Sequence, residues 1–261
     1  MKYVNKAIID LRRESSVRSE RVLQALLGTQ VRELQVKDEW CLIETPDGYE
    51  GFVENKHLST FLSPTGKQWK VRETLVTVRS PSRNQVLTQV IFDTRFFAKT
   101  NEGRLILVLP TGEQGYIPQG TAVIAKSTYD LIALERIARS FVGTPYLWGG
   151  VSPLGFDCSG FVQRLLHYCF NEWLPRDTAD QRYIGKPITV EELERGDLCF
   201  FPGHVALYLE DGLIIHSNRH YSAISINQLL KPTCIYEKEL LRRFQGARRL
   251  PSRILSIRTK Q

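Results

Sequence analysis

The chain has 261 residues, 42% hydrophobic and 24% charged, a composition of ordinary globular protein that argues against disorder and allows one or two domains. Its apolar runs fall short of the roughly 18–20 residues of a membrane helix, and Lys6 and Asp10 interrupt the N-terminal apolar stretch before a signal-peptide core could form, so a cytoplasmic protein is expected. The net charge is +7, but the basic residues near the end (Arg242, Arg243, Arg248, Arg249, Arg253, Arg258, Lys260) alternate with apolar ones and no nucleic-acid motif accompanies them, so they read as a solvated face.

The first 126 residues are β-rich and repeat. At an offset of 64 residues, Val22-Leu23 aligns with Val86-Leu87, and the segment Pro46-Asp47-Gly48-Tyr49-Glu50-Gly51-Phe52-Val53 with Pro110-Thr111-Gly112-Glu113-Gln114-Gly115-Tyr116-Ile117. In each copy an apolar strand runs into a glycine turn, and an aromatic-aliphatic pair opens the next strand, as in a hairpin. Two copies of roughly 60 residues imply two small barrels, since a solenoid needs three or more repeats.

From Ser127 the pattern changes. Ser127 and Asp130 have capping-box spacing, and Leu131, Ile132, Leu134, Ile137, Ala138 and Phe141 predict a helix that Gly143 ends. An aromatic-glycine loop follows at Tyr146-Leu147-Trp148-Gly149-Gly150. Then Cys158, Phe161, Val162, Leu165, Leu166, Cys169 and Phe170 recur at helical spacing, with Asp157 or its neighbour as N-cap. Strands are expected at Leu198–Phe201, His204–Leu209, Leu213–His216 and Ala223–Ile226. Helices first and sheet after is an α+β layout.

Five cysteines, with no C-x-x-C pair, argue against both a disulfide framework and a cysteine zinc site. Cys41 and Cys199 read as core residues. Cys158 differs, because a thiol in the first turn of a helix meets free N–H groups and the positive end of the dipole, and both are expected to lower its pKa. Taken alone it would still read as buried structure.

A nucleophilic cysteine needs a base and a group to orient that base. His167 falls on the opposite face of the cysteine helix, and nothing around His57 suggests chemistry. His204 opens one strand and His216 closes the next, so a turn at Leu209–Leu213 brings the two together. The spacing His216-x-x-x-His220 would need a helix to ligate a metal, and Ile214-Ile215 reads as strand, so neither metal nor cofactor is expected.

These residues carry a resemblance. Tyr146-x-Trp148-Gly149-Gly150, Phe156-Asp157-Cys158-Ser159-Gly160-Phe161-Val162, Leu174-Pro175-Arg176-Asp177, Gly196-Asp197-Leu198-Cys199-Phe200-Phe201, His204-Val205-Ala206-Leu207-Tyr208 and Ile215-His216 resemble the NlpC-type cell-wall cysteine peptidases, over about residues 128–227. The two N-terminal copies, about residues 10–60 and 72–126, are similar to bacterial SH3-like domains. The resemblance implies a papain-like fold and three domains: barrels at 1–66 and 67–126, and a peptidase domain at 127–261. It implies Cys158 as nucleophile, His204 as base and His216 as the orienting third member. Paired barrels and no signal peptide make the chain look like the cytoplasmic branch that cuts the γ-D-glutamyl–diamino acid bond of peptidoglycan-derived peptides (L-Ala-γ-D-Glu-diamino acid) bearing a free N-terminal L-alanine. For that substrate the resemblance implies Asp157, Ser159, Tyr49, Glu14 and Asp177 as binding residues, and a monomer is expected. Two alternatives are a non-catalytic binder of peptidoglycan fragments and an amidase or acyltransferase on the same scaffold. Phe52 stands where the barrel motif more often has Trp, and Glu113 of the second copy where the first has Tyr49.

Overall fold

A computed structural model describes residues 1–60 and 64–251, and Arg253, Arg258 and Lys260 of the basic tail lie outside them. The described chain divides into two compact units, Met1–Ser127 and Thr128 onward.

The first unit holds both repeats. The first contains β1 (Lys2–Val4), β2 (Ile8–Arg12), β3 (Arg21–Leu26), β4 (Gln30–Lys37), β5 (Trp40–Glu44), β6 (Glu50–Glu54) and β7 (Leu58–Ser59). The second contains β8 (Lys67–Val71), β9 (Leu75–Arg79), β10 (Val86–Ile91), β11 (Arg95–Asn101), β12 (Arg104–Val108), β13 (Gln114–Pro118) and β14 (Ala122–Ile124). Their sheets run β3-β2-β6-β5-β4-β1-β7 and β10-β9-β13-β12-β11-β8-β14, the same order seven strands apart. The sequence repeat is thus a repeat of topology. Its second glycine is needed in both copies for close strand approach: a Cβ on Gly51 would lie 2.9 Å from Leu11 Cβ, and one on Gly115 would run into Val78. Trp69, Val78, Val90, Leu105 and Ile117 fill the second barrel.

The second unit opens with α1 (Leu131–Arg139). Its cap is the Asp130 carboxylate, which accepts from the Ala133 N–H at 2.7 Å, and not Ser127. Ile132, expected on the apolar face, is exposed, and Phe141 packs from the turn beyond the helix. Next come the short hairpin β15 (Val151–Ser152) and β16 (Gly155–Phe156), then α2 (Cys158–Phe170) and α3 (Thr178–Gln181). The sheet contains β17 (Lys186–Ile188), β18 (Leu198–Phe201), β19 (His204–Tyr208), β20 (Leu213–Asn218), β21 (Ala223–Gln228) and β22 (Ala247–Arg249), in the order β17-β22-β18-β19-β20-β21. Between β21 and β22 lies α4 (Ile235–Arg242).

Every residue of α2 is buried, which the apolar stripe alone does not require. The helix packs on β19 and β20, and Phe161 meets Phe141 and Phe156 edge-on, with ring centroids 6.3 and 5.4 Å away. Gly160 lets this packing close, since a Cβ there would collide with the Gly150 carbonyl. On the opposite face of the sheet, Ala206, Tyr208 and Ile214 pack with Leu240 and Tyr236 of α4. The sheet is therefore covered by α2 on one side and α4 on the other. Among the described residues, no helix is long and apolar enough to cross a membrane.

Candidate active site

Cys158 is the first residue of α2, and Asp157 is its N-cap, in extended conformation at φ −92°. One Asp157 oxygen, Oδ1, accepts from Gly160 N–H at 2.7 Å, and Oδ2 accepts from Gly149 N–H at 2.8 Å. Arg176 grips the same carboxylate from the far side, with Nη1 3.1 Å from Oδ1 and Nη2 in a short contact to Oδ2. Nη1 also donates to Ser159 Oγ at 2.8 Å. The pair is almost fully buried, Arg176 being 2% exposed and Asp157 4%, so each charge is satisfied chiefly by the other. The sequence marked Asp157 and Ser159 as pocket residues; it did not mark Arg176 as what holds both beside Cys158.

The thiol of Cys158 is 7% exposed. Burial pushes its pKa up, and the negative charge of Asp157 pushes it further. The Val205 and Ser159 backbone N–H groups and the Thr178 hydroxyl, 3.7 Å from the sulfur, oppose the rise without reversing it. This corrects the expectation of a lowered pKa: at the helix start the N–H groups are present, but the site's dryness outweighs them. Burial thus favours the neutral thiol over the thiolate.

The candidate base, His204, stands at the start of β19. Pro202-Gly203 turns β18 into β19, with Phe201 paired to His204. The β19–β20 ladder pairs Leu207 with Ile215, one step from His216. The imidazoles meet through His204 Nε2 and His216 Nδ1, 2.7 Å apart. His216 is not the strand end expected; β20 continues to Asn218, and the ring is fully buried. Because His204 uses Nε2 on His216, Nδ1 is the ring nitrogen left for the cysteine.

Cys158 and His204 open onto one cavity of about 730 Å³, lined also by Tyr146, Trp148, Arg219 and Arg243. The Arg219 guanidinium lies 5.6 Å from the centroid of Tyr146 and 5.2 Å from that of half-exposed Trp148. Arg243 follows α4 directly, so a segment read as plain basic surface supplies part of the cleft. Asp177 precedes α3, whose Thr178 touches Cys158. The structure thus assembles Cys158, His204, His216, Asp157 and Ser159 in the second unit. Tyr49, half-buried with its carbonyl held by Thr45, and exposed Glu14 belong to the first unit. His167 is stacked on Trp173 with centroids 3.7 Å apart. Among the described residues no cluster of three or more potential metal ligands occurs.

Burial lowers the pKa of both imidazoles: His204 to about 3, helped by the charges of His216 and Arg243, and His216 to about 4, against the opposing pull of Asn227. In the unfolded chain each titrates near 6.5. The unfolded state therefore takes up protons first as the pH falls. The stability these groups confer is complete above pH ~6.5 and is lost as the pH drops toward the folded values. Urea unfolding between pH 6.5 and 5 is expected to show a falling stability, with a slope approaching about 1.4 kcal/mol per pH unit for each proton. His216→Asn should flatten it. Identical slopes in the two proteins would contradict this.

Residues 143–243 match the NlpC/P60 family model, and residues 9–59 match the bacterial SH3 domain model. The chain is 29% identical over 253 residues to a gamma-D-glutamyl-L-lysine dipeptidyl-peptidase of Bacillus cereus, covering 87% of this chain and 74% of that protein. It is 27% identical over 252 residues to a dipeptidyl-peptidase 6 of Lysinibacillus sphaericus, covering 87% and 91%. Among solved structures, an NlpC/P60 family protein from Bacillus cereus aligns over 96% of this chain and 100% of that one, with a TM-score of 0.82 at 23% identity. At that identity the likeness establishes a shared fold.

Proposed function

The second unit is an NlpC/P60 cysteine-peptidase domain preceded by an SH3-like β region, and from that premise we propose that the chain hydrolyses the γ-D-glutamyl–L-diamino acid bond of peptidoglycan stem peptides with a free N-terminal L-alanine. The observation that carries the reading is the cysteine opening α2 and sharing a cleft with His204, whose ring meets that of His216 at 2.7 Å. The names of the two curated relatives support the bond class.

Cys158 transfers its proton to His204 Nδ1 as the sulfur attacks the γ-carbonyl carbon. The Cys158 backbone N–H, at a helix start where it has no partner one turn back, helps hold the oxyanion. The C–N bond then breaks, and the leaving amine takes the proton from His204. Water, deprotonated by the same ring, hydrolyses the thioester and regenerates the thiol. His216 steadies the imidazolium at each stage.

Asp157, Ser159 and Asp177 of the second unit are the groups proposed to recognise the substrate. A free ammonium leaving water needs acceptors or a carboxylate, and these residues supply both. All five cysteines are free thiols, which supports a reducing, cytoplasmic setting.

Incubation with L-Ala-γ-D-Glu-L-Lys or L-Ala-γ-D-Glu-diaminopimelate is expected to release L-Ala-γ-D-Glu, read by mass spectrometry. Acetylating the N-terminus is expected to lower kcat/KM by at least about a hundredfold, because the acceptors built for an ammonium are left unpaired. Equal cleavage of free and blocked peptides would remove the N-terminal specificity; tight binding without any cleavage would replace the enzyme reading with that of a binding protein.

A further inference from the structure

Beyond His216 the hydrogen bonds do not stop, and their direction matters. His216 Nε2 lies 3.1 Å from Asn227 Oδ1. The same oxygen accepts from Ser225 Oγ at 2.8 Å, and Ser225 in turn accepts from Asn218 Nδ2 at 2.8 Å, so the serine's own proton is free for Asn227. The amide nitrogen of Asn227 faces Glu237 Oε1 at 3.5 Å. Glu237, on α4, also accepts from Gln228 N–H, Thr233 N–H and the Thr233 hydroxyl, each at 2.8 Å. These bonds hold its carboxyl ionised, with a pKa down at about 2. A carboxylate only accepts. Flipping Asn227 would point its oxygen at that anion and its NH₂ at the serine and the histidine.

We propose that Asn227 and Glu237 are positioning residues that decide which nitrogen of His204 carries its proton. With the Asn227 amide oriented by Glu237, His216 must donate from Nε2. A neutral ring has one N–H, so His216 Nδ1 is an acceptor. His204 then donates from Nε2 across the 2.7 Å contact, and its bare Nδ1 is left to take the cysteine's proton. The opposite amide orientation would reverse each step and leave an N–H aimed at the thiol, where no base is available. The assignment rests on the reading of His204 as the base; it adds a remote anion that sets the base's tautomer without touching substrate.

Other charged or titratable groups around the two rings are Tyr236, whose ring stacks 6.3 Å from His216 with its pKa at about 12, and, lining the cavity with His204, Tyr146, Cys158, Arg219, His220, Glu239 and Arg243. None of these groups is changed in the variants below, so a shift in the profile on changing residue 227 reports on that residue.

The test uses the full chain, with ¹⁵N-histidine NMR and pH profiles of tripeptide cleavage. Wild-type spectra are expected to show protonated Nε2 and bare Nδ1 on both His204 and His216. Asn227→Leu should give mixed tautomers and a roughly ten- to hundredfold lower kcat with KM within about threefold. The pair Asn227→Asp with Glu237→Gln keeps an acceptor toward His216, lets the glutamine NH₂ donate to the new carboxylate and leaves its oxygen for Thr233, at the expense of the Gln228 N–H bond. It should restore the tautomer and most of kcat, and move the acid limb of the profile to higher pH, because a carboxylate at position 227 favours the imidazolium of His216. Wild-type His216 protonated on Nδ1, or Asn227→Leu with unchanged tautomers and profile, would overturn the proposal. The NMR needs no turnover, so a failure of the substrate reading leaves it decisive.

Discussion

Cys158→Ala is expected to lower kcat/KM toward the stem tripeptide by at least about 10⁴-fold while the melting temperature stays within a few degrees of wild type. The proposed mechanism requires a nucleophile that forms the thioester, and neither the cleft nor the histidine pair can stand in for it. The fold, in contrast, loses one sulfur from the start of a helix held by Asp157, Gly149 and Arg176, none of which the substitution removes. Single-turnover assays give the first number and calorimetry the second. Cleavage above about one per cent of wild type would show that another group performs the attack.

Arg176→Met acts on the other side of the same carboxylate and is expected to have the reverse profile, a loss of stability before anything else. The guanidinium and Asp157 are both buried and each is the other's principal counter-charge. Removing one leaves an unpaired anion in a dry site, at a cost of about 3–5 kcal/mol. For a unit of this size that corresponds to a fall of roughly 10–20 °C in melting temperature. Adding Asp157→Asn removes the stranded charge and keeps a residue able to cap α2, so the double variant should recover at least about 1 kcal/mol over Arg176→Met. Additive losses in denaturant titrations would mean that the pair is not coupled as its geometry requires.

The reach of the sequence followed the range of the interactions. The cysteine helix was legible because its apolar residues repeat every turn and a capping aspartate precedes it. The histidine pair was legible because a short turn between two apolar strands leaves their residues side by side. The barrels were legible twice over, since the offset of 64 residues in sequence recurs in the positions of β5 and β12 and of β6 and β13. Arg176 was not singled out: its partner is 19 residues away across a loop, and no periodicity records that contact. The part played by α4 was missed for a related reason. Its charged residues and few apolar ones look like a solvent face, yet Tyr236, Leu240 and Glu237 turn inward while Arg243 beyond its end reaches the cleft. The direction of the Cys158 pKa was misjudged because helix position can be read from sequence, whereas the degree of burial there depends on tertiary packing.

The sulfur rides on a helix and its two imidazoles on the strands that helix covers, so the halves of the reactive assembly are brought together by tertiary packing alone. A nascent, damaged or half-folded chain carries an ordinary thiol and scattered histidines, and it has no means of hydrolysing a peptide. The reactive arrangement is thus a property of the packed unit and of neither element alone.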